Sequence, residues 1–371
     1  RTHYQRLVEH RYRQQIPGLN RNQLGETMNK IDFSDPRSNK IALWGGIAFS
    51  LAFTLLIWLA GERLNAVPIL PDQGPLWYEW KLPAEDVTFW TRLSYWGLYA
   101  LHQIAFWGLI YYAQTRVQKY AKGLHMVNIW ALGLNALFIV LHFIQSHIWY
   151  DGLAQDTPVW SSQGSVILML CAILIMENKR RGMFFGKKAP ISTRVIDFAR
   201  KYHGYLFAWA TVYTFWFHPM VNTSGHLLGF LYMFFLLLQG SLFLTRIHVN
   251  KWWMLTQEVA VLFHGTMVAI LQGSGIWTMF FFGFLGMFVI TQMHGVGWSK
   301  LTRWLIGLGY ILAALAVYNW KGWEYLNEII RIPIIEYLVA FLMAGLVALG
   351  IWIVDRFRKP TAVTENPAST D

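Results

Sequence analysis

The sequence contains little charge and almost no cysteine. Of its 371 residues only 14% are charged, whereas a soluble domain usually carries about a quarter. The single cysteine, Cys171, excludes a disulfide framework and any metal site built from several thiolates. Hydrophobic residues instead make up 55% of the chain, and the mean hydropathy is +0.33. This balance predicts an integral membrane protein.

The sequence also lacks the short motifs that would identify a reaction. It has no P-loop, no GxSxG or HExxH motif and no GxGxxG turn. The histidine boxes of membrane hydroxylases and desaturases are missing as well. The function therefore has to be argued from where polar residues lie relative to the membrane.

Apolar runs recur along the chain at a spacing that fits repeated membrane crossings. Each run is close to the twenty or so residues that a helix needs to cross a bilayer. The predicted fold class is therefore all-α: a polytopic integral membrane protein with about ten transmembrane helices. The ten predicted spans are residues 40–60, 92–113, 124–150, 160–177, 196–219, 225–245, 252–271, 275–295, 301–319 and 334–354.

The distribution of lysine and arginine predicts the orientation. With a cytoplasmic N-terminus, 26 of these 31 residues fall on the cytoplasmic side and 5 on the other, as the positive-inside rule requires. We expect a basic cytoplasmic arm (1–39), a transmembrane domain (40–355) with an outer loop (61–91), and a disordered cytoplasmic tail (356–371). The net charge of +11 then follows from topology and indicates no nucleic-acid partner. A bacterial inner membrane or an organellar membrane fits this pattern.

Five histidines are predicted to lie toward the outer face, on four different helices. Imidazole is a good ligand for iron, copper and zinc, so their convergence predicts a transition-metal site. For each histidine alone, an interfacial side chain that reaches water is the simpler explanation. The candidate metal ligands are His142, His147, His218, His226 and His264.

One helix carries histidines at a spacing that suits two haem groups. His203 and His218 are fifteen residues apart, about 22 Å along a helix, and can share one face. This spacing is similar to that of the paired haem ligands on one helix of b-type cytochromes, a resemblance confined to that helix. His264 and His294 each precede a glycine, which would let a flat cofactor approach. The candidate cofactor ligands, for haem b, are therefore His203, His218, His264 and His294.

A carboxyl group is predicted inside the seventh span. Glu258 lies about 10 Å along the helix from Lys251, with Gln257 beside it. A carboxyl at that depth is either protonated or paired with a cation. We take Glu258 and Gln257 as the candidate catalytic residues that handle protons, with a protonated Glu258 bonded to a neighbouring helix as the plain structural alternative.

Three functions remain open on the sequence alone, besides a cofactor-free enzyme acting on a lipid. The first is a membrane redox protein with haem b or a transition metal, which exchanges electrons with quinone or oxidises a lipid-phase substrate. The second is a proton-coupled transporter or channel that uses Glu258, His264 and His102. The third is a structural or cofactor-binding subunit of a larger membrane complex. Membrane lipids are expected partners in every case.

Overall fold

The computed structural model describes residues 33, 35–70, 80–273 and 275–357. The described residues form ten α-helices and no sheet. Most of the predicted N-terminal arm and nearly all of the predicted C-terminal tail lie outside these residues. The helices are α1 Pro36–Ala60, α2 Phe89–Tyr112, α3 Met126–Ile148, α4 Val159–Arg181, α5 Thr193–Phe215, α6 Ser224–Ser241, α7 Lys251–Leu271, α8 Trp277–Ile290, α9 Lys300–Lys321 and α10 Glu328–Phe357.

Eight of these helices are long and apolar enough to cross a membrane. The other two are α2 and α5, which are rich in tyrosine and tryptophan or begin with several charged residues. His102 lies on α2 and His203 lies on α5. The two less apolar helices therefore each carry a polar residue that lies inside or beside the bundle. The all-helical membrane fold is thus confirmed at the level of eight apolar helices.

Side-chain caps fix where several helices begin. Thr88 and Thr91 form a reciprocal capping box at the start of α2. Thr223 accepts a hydrogen bond from the backbone N–H of His226 and so caps α6, as its place before the helix predicts. Asn250 caps α7 through the N–H groups of the second and third helical residues. These caps satisfy N–H groups that have no partner within the helix.

Hydrogen bonds between turns define two ends of the bundle. We call them the inner end and the outer end, after the orientation predicted from the lysine and arginine distribution. At the inner end, Leu124 donates its N–H to Phe33 O (2.6 Å), and Ala121 donates to Leu244 O (2.9 Å). At the outer end, Leu153 donates to Trp216 O (3.0 Å) and Ala154 to Phe217 O. The α2–α3 and α6–α7 turns therefore lie together at the inner end, and the α3–α4 and α5–α6 turns lie together at the outer end.

Two helix boundaries differ from the predicted spans in ways that matter for function. Helix α4 continues past residue 177 to Arg181, where Gly182 stops it with a φ of 73°. Arg181 is thus the last helical residue and not part of the following loop. Helix α5 ends at Phe215 and not at residue 219, so His218 lies in the turn beyond it.

Candidate functional site

At the outer end of the bundle, three predicted ligands come close together. The rings of His218 and His226 have centroids 5.0 Å apart and are nearly perpendicular. His264 on α7 lies near enough to interact electrostatically with both. We call His218, His226 and His264 the outer histidine cluster.

The outer loop and the α6 cap hold one member of this cluster in place. Trp80 packs edge-on against His226, with ring centroids 4.5 Å apart. His226 Nδ1 lies 2.7 Å from the hydroxyl of Thr223. Its Nε2 is buried and has no hydrogen-bond partner among the described residues. Trp80 is thus the part of the predicted outer loop that covers the histidines, whereas its neighbours in 71–79 lie outside the described residues.

The other two predicted outer ligands do not join the cluster. His142 is fully buried between Trp216 (ring centroids 4.3 Å apart) and Phe215 (4.8 Å). Neither of its ring nitrogens has a partner among the described residues. His147 donates from Nδ1 to Phe143 O at 2.8 Å, on its own helix. Among the described residues no set of three or more His, Cys, Asp or Glu side chains is arranged to hold a metal ion.

At the inner end, His203 is paired with a histidine that sequence spacing did not reveal. The rings of His203 on α5 and His248 in the α6–α7 turn have centroids 6.2 Å apart and planes inclined by 35°. His203 Nδ1 lies 2.7 Å from Arg200 O, and His248 Nδ1 lies 3.0 Å from Gln239 O. Because a carbonyl oxygen only accepts, both Nδ1 atoms carry the proton and both Nε2 atoms keep a lone pair. We call His203 and His248 the inner imidazole pair.

Burial favours the neutral form of His248. Removal from water, with His203 nearby, lowers its pKa to about 4. A neutral imidazole whose Nδ1–H is bonded to a backbone carbonyl is the form in which histidine commonly binds a metal through Nε2. The inner pair therefore has the protonation state that ligation requires.

Two further histidines have both ring nitrogens engaged. His102 accepts from Trp216 Nε1 at 3.2 Å and donates from Nε2 to Asn135 Oδ1 at 2.8 Å. His294 accepts from Arg303 at 3.0 Å and donates to Val289 O. Binding of a metal or a haem iron by either ring would break an existing hydrogen bond. The ring of the predicted cofactor ligand His294 is thus occupied by structural hydrogen bonds.

Glu258 is held by a cation and is not a lone carboxyl. Arg181 Nη1 lies 2.8 Å from each of its two carboxylate oxygens. The side chains of Arg181 and Glu258 are 3% and 6% exposed, so the pair is buried between α4 and α7. Next to it, Gln257 is buried and neither its Oε1 nor its Nε2 has a partner among the described residues.

A second buried carboxyl lies close to this pair. Glu336 on α10 is 6% exposed and near enough to interact with both Arg181 and Glu258. Cys171 on α4 donates to the backbone carbonyl of Glu336 at 3.2 Å. The described residues therefore bring two carboxyls and one guanidinium together from three helices.

The α3–α4 turn contains two aspartates in opposite environments. Burial raises the pKa of Asp151 to about 7, and one of its carboxylate oxygens has no partner among the described residues. For Asp156, burial again acts to raise the pKa. Hydrogen bonds from Trp96 and Tyr95 and the positive charge of Arg92 outweigh it, so the pKa of Asp156 lies below its ordinary value. Asp151 also has a positive φ of 25°, which is unusual for a residue other than glycine.

Sequence reasoning missed Arg181, His248 and Glu336. A glycine after a basic run is a common helix end, and Gly182 marks Arg181 as helical. Glu336 lies within predicted span 334–354, and an ionisable residue there is a functional candidate by rule. His248 gave no such signal, because it lies in a turn and meets His203 only through tertiary packing.

Comparison with known proteins adds one partial match. Residues 274–322 match a family of unknown function (DUF6903), and this segment comprises α8, the following turn and α9. It includes His294 but none of the other predicted site residues. No curated protein and no solved structure matches the chain. The family description supplies no activity, so function rests on the site.

Proposed function

We propose that this protein is an integral membrane redox protein that binds haem b between His203 and His248. The observation that carries the proposal is the geometry of the inner imidazole pair. Two imidazoles on opposite sides of one iron, with bonds of about 2 Å, have ring centroids roughly 6 Å apart. The pair has its centroids 6.2 Å apart, and each Nδ1–H is already engaged by a backbone carbonyl.

We propose the outer histidine cluster as a second site for haem or a transition metal, although its three rings are not arranged around a common metal position in the described residues. His226 contributes a buried Nε2 without a partner among the described residues, and His218 and His264 are its neighbours. The inner site lies on α5 and the outer site lies just beyond the C-terminal end of α5, about 20 Å away along the helix axis. Two redox centres so placed would carry electrons across the membrane, to or from quinone or a lipid-phase substrate. A further subunit of a membrane complex is an equally suitable electron partner.

The same proposal includes an orientation. All ten helices cross the membrane with both termini in the cytoplasm, and the inner end of the bundle faces the cytoplasm. The charge distribution supports this, because 26 of 31 lysine and arginine residues then lie on the cytoplasmic side. A bacterial inner membrane or an organellar membrane is the expected location.

The test is the absorption spectrum of the chain in nanodiscs, oxidised and then reduced with dithionite. A haem protein shows a Soret band and a reversible change on reduction. His248→Ala is expected to abolish the band of the inner site. The matched control is His125→Ala, because that ring donates to Lys119 O in a turn at the same end of the bundle. An equal loss in both variants, or a wild-type protein without a reducible chromophore, contradicts the proposal.

Proton-coupled transport is the second candidate, and unpartnered polar atoms in the bundle interior favour it. Both side-chain polar atoms of Gln103, of His142 and of Gln257 are buried without a partner among the described residues. Such groups commonly bind ordered water, which can relay protons. For a colourless, folded protein, Glu258→Gln would then abolish proton-coupled flux in proteoliposomes, and unchanged flux would exclude this candidate.

A further inference from the structure

The buried ion pair and its neighbouring carboxyl do not balance in charge. Arg181 and Glu258 form a neutral pair, with both carboxylate oxygens 2.8 Å from Arg181 Nη1. Glu336 adds a second carboxyl, 94% buried on α10. If all three were ionised, the cluster would carry one uncompensated negative charge in a medium where that is costly.

Among the described residues, Arg181 is the one cation found to interact with this carboxyl. Helix α8 carries no ionisable side chain between Trp277 and Ile290. Helix α5 meets α10 through Arg194, which is bonded to Asp355 at 2.6 Å near the far end of α10. On α4, Glu177 is paired with Arg180. Tyr337, next to Glu336, donates its hydroxyl to Met183 O. A proton on one of the two carboxyls would neutralise the cluster, and Glu336 is the better candidate because Glu258 is already bonded to Arg181.

A second observation marks this cluster as a place where water or a proton enters. Arg181 Nε is buried and has no partner among the described residues. The two amide atoms of Gln257, adjacent in the chain to Glu258, are likewise buried and unpartnered among the described residues. Polar atoms in this state normally bind water. Since Arg181 ends α4 at the inner end of the bundle, the path to solvent from the cluster is shortest on that side.

We propose that Glu336 is a proton-binding site, whose carboxyl takes up one proton from the inner end of the bundle and holds it beside the Arg181–Glu258 pair. Proton uptake converts the Glu336 carboxylate into a carboxylic acid, and release restores the carboxylate with a net charge of −1 on the cluster. Arg181 would then attract Glu336 as well as Glu258, so the proton and the ion pair are coupled. This inference does not depend on haem or metal.

The experiment is infrared spectroscopy of the full chain in nanodiscs from about pH 5 to 9, where exposed carboxyls are already ionised. Asp151, with a pKa of about 7, contributes one carboxylic-acid band in the lower part of this range in every variant. We expect a second carbonyl stretch of a protonated carboxylic acid that disappears in Glu336→Gln and shifts in frequency in Glu336→Asp. The control, Glu328→Gln, removes another buried carboxyl of α10, which already has a cation in Lys321 at 2.8 Å, and should leave the band unchanged.

Three results would overturn the proposal. One is the absence, in the wild-type protein over this range, of any carboxylic-acid band besides the one that Asp151→Asn removes. Another is a band that disappears in Glu258→Gln and persists in Glu336→Gln, which would place the proton on the other carboxyl. A third applies if Glu336→Gln does not fold: a band whose frequency is the same in wild type and Glu336→Asp does not come from residue 336.

Discussion

The two ends of the bundle hold their histidines in different ways. At the inner end, backbone carbonyls orient both rings of the pair, His203 and His248. At the outer end, His226 is positioned by a hydroxyl, Thr223, and by the indole of Trp80 from a long loop. Main-chain partners keep their position when side chains change, whereas side-chain and loop partners adjust. The two inner rings are thus oriented by the main chain, and the ring of His226 is oriented by side chains.

The two ends also differ in whether a buried carboxyl group has a cation beside it. Near the inner end, Glu258 has a buried counter-charge in Arg181. At the outer end, Asp151 has no cation in direct contact among the described residues, and burial raises its pKa to about 7. The outer end should therefore respond to pH near neutrality through Asp151.

The largest expected effect is loss of the inner cofactor in His203→Ala. If haem b is held by His203 and His248 as proposed, this variant should lose the absorption band of the inner site completely, and any cofactor at the outer cluster should stay bound. Difference spectra and metal content per chain measure both outcomes. A variant that loses both sites together would show that the two ends are not independent.

The next effect is on stability at the inner end. Arg181→Met leaves Glu258 buried without its partner and should cost about 3–5 kcal/mol. The double variant Arg181→Met/Glu258→Met should recover most of that loss. Thermal unfolding in detergent, followed by near-ultraviolet circular dichroism, measures both changes.

The control for this prediction lies at the outer end. Arg92→Met breaks an ion pair with Asp156 in which the arginine side chain is 53% exposed. Its effect should be much smaller, because solvent screens an exposed pair. Equal losses in Arg92→Met and Arg181→Met would contradict the view that burial makes the inner pair important.

One part of the pH dependence of stability should come from Asp151 at the outer end. The folded pKa of Asp151, about 7, lies above its unfolded value of 3.8, so the folded state binds its proton more tightly. Stability is then greatest below about pH 4 and falls as the pH rises to 7, by at most roughly 4 kcal/mol. In Asp151→Asn this decline should disappear. A wild-type unfolding midpoint that stays level from pH 5 to 7.5 would refute the assignment.

The smallest effect is expected from crowding the outer cluster. A Cβ at Gly229 would lie 3.2 Å from His264 Nε2, so Gly229→Ala should displace that imidazole slightly. We expect reduced metal or haem occupancy at the outer site and an unchanged inner site. Gly164→Ala is the matched control, since a Cβ there meets nothing within 4 Å. Unchanged occupancy in Gly229→Ala would mean that His264 is not a ligand.

Sequence patterns predicted the helices well because twenty-residue apolar runs have few alternatives. All ten predicted spans overlap a helix, with ends shifted by a few residues. The site was harder, because its partners meet only in three dimensions. Glu258 was visible in its span, but Arg181 came from a segment that resembled a loop. The His203–His248 pair joins a helix to a turn 45 residues later, which no single-helix spacing encodes.

The most direct test of the central claim is the metal content of the wild-type chain, purified in mild detergent and measured together with its absorption spectrum. The account predicts at least one iron per chain, a Soret band, and loss of both in the double variant His203→Ala/His248→Ala. A well-folded, colourless chain without bound iron would contradict it.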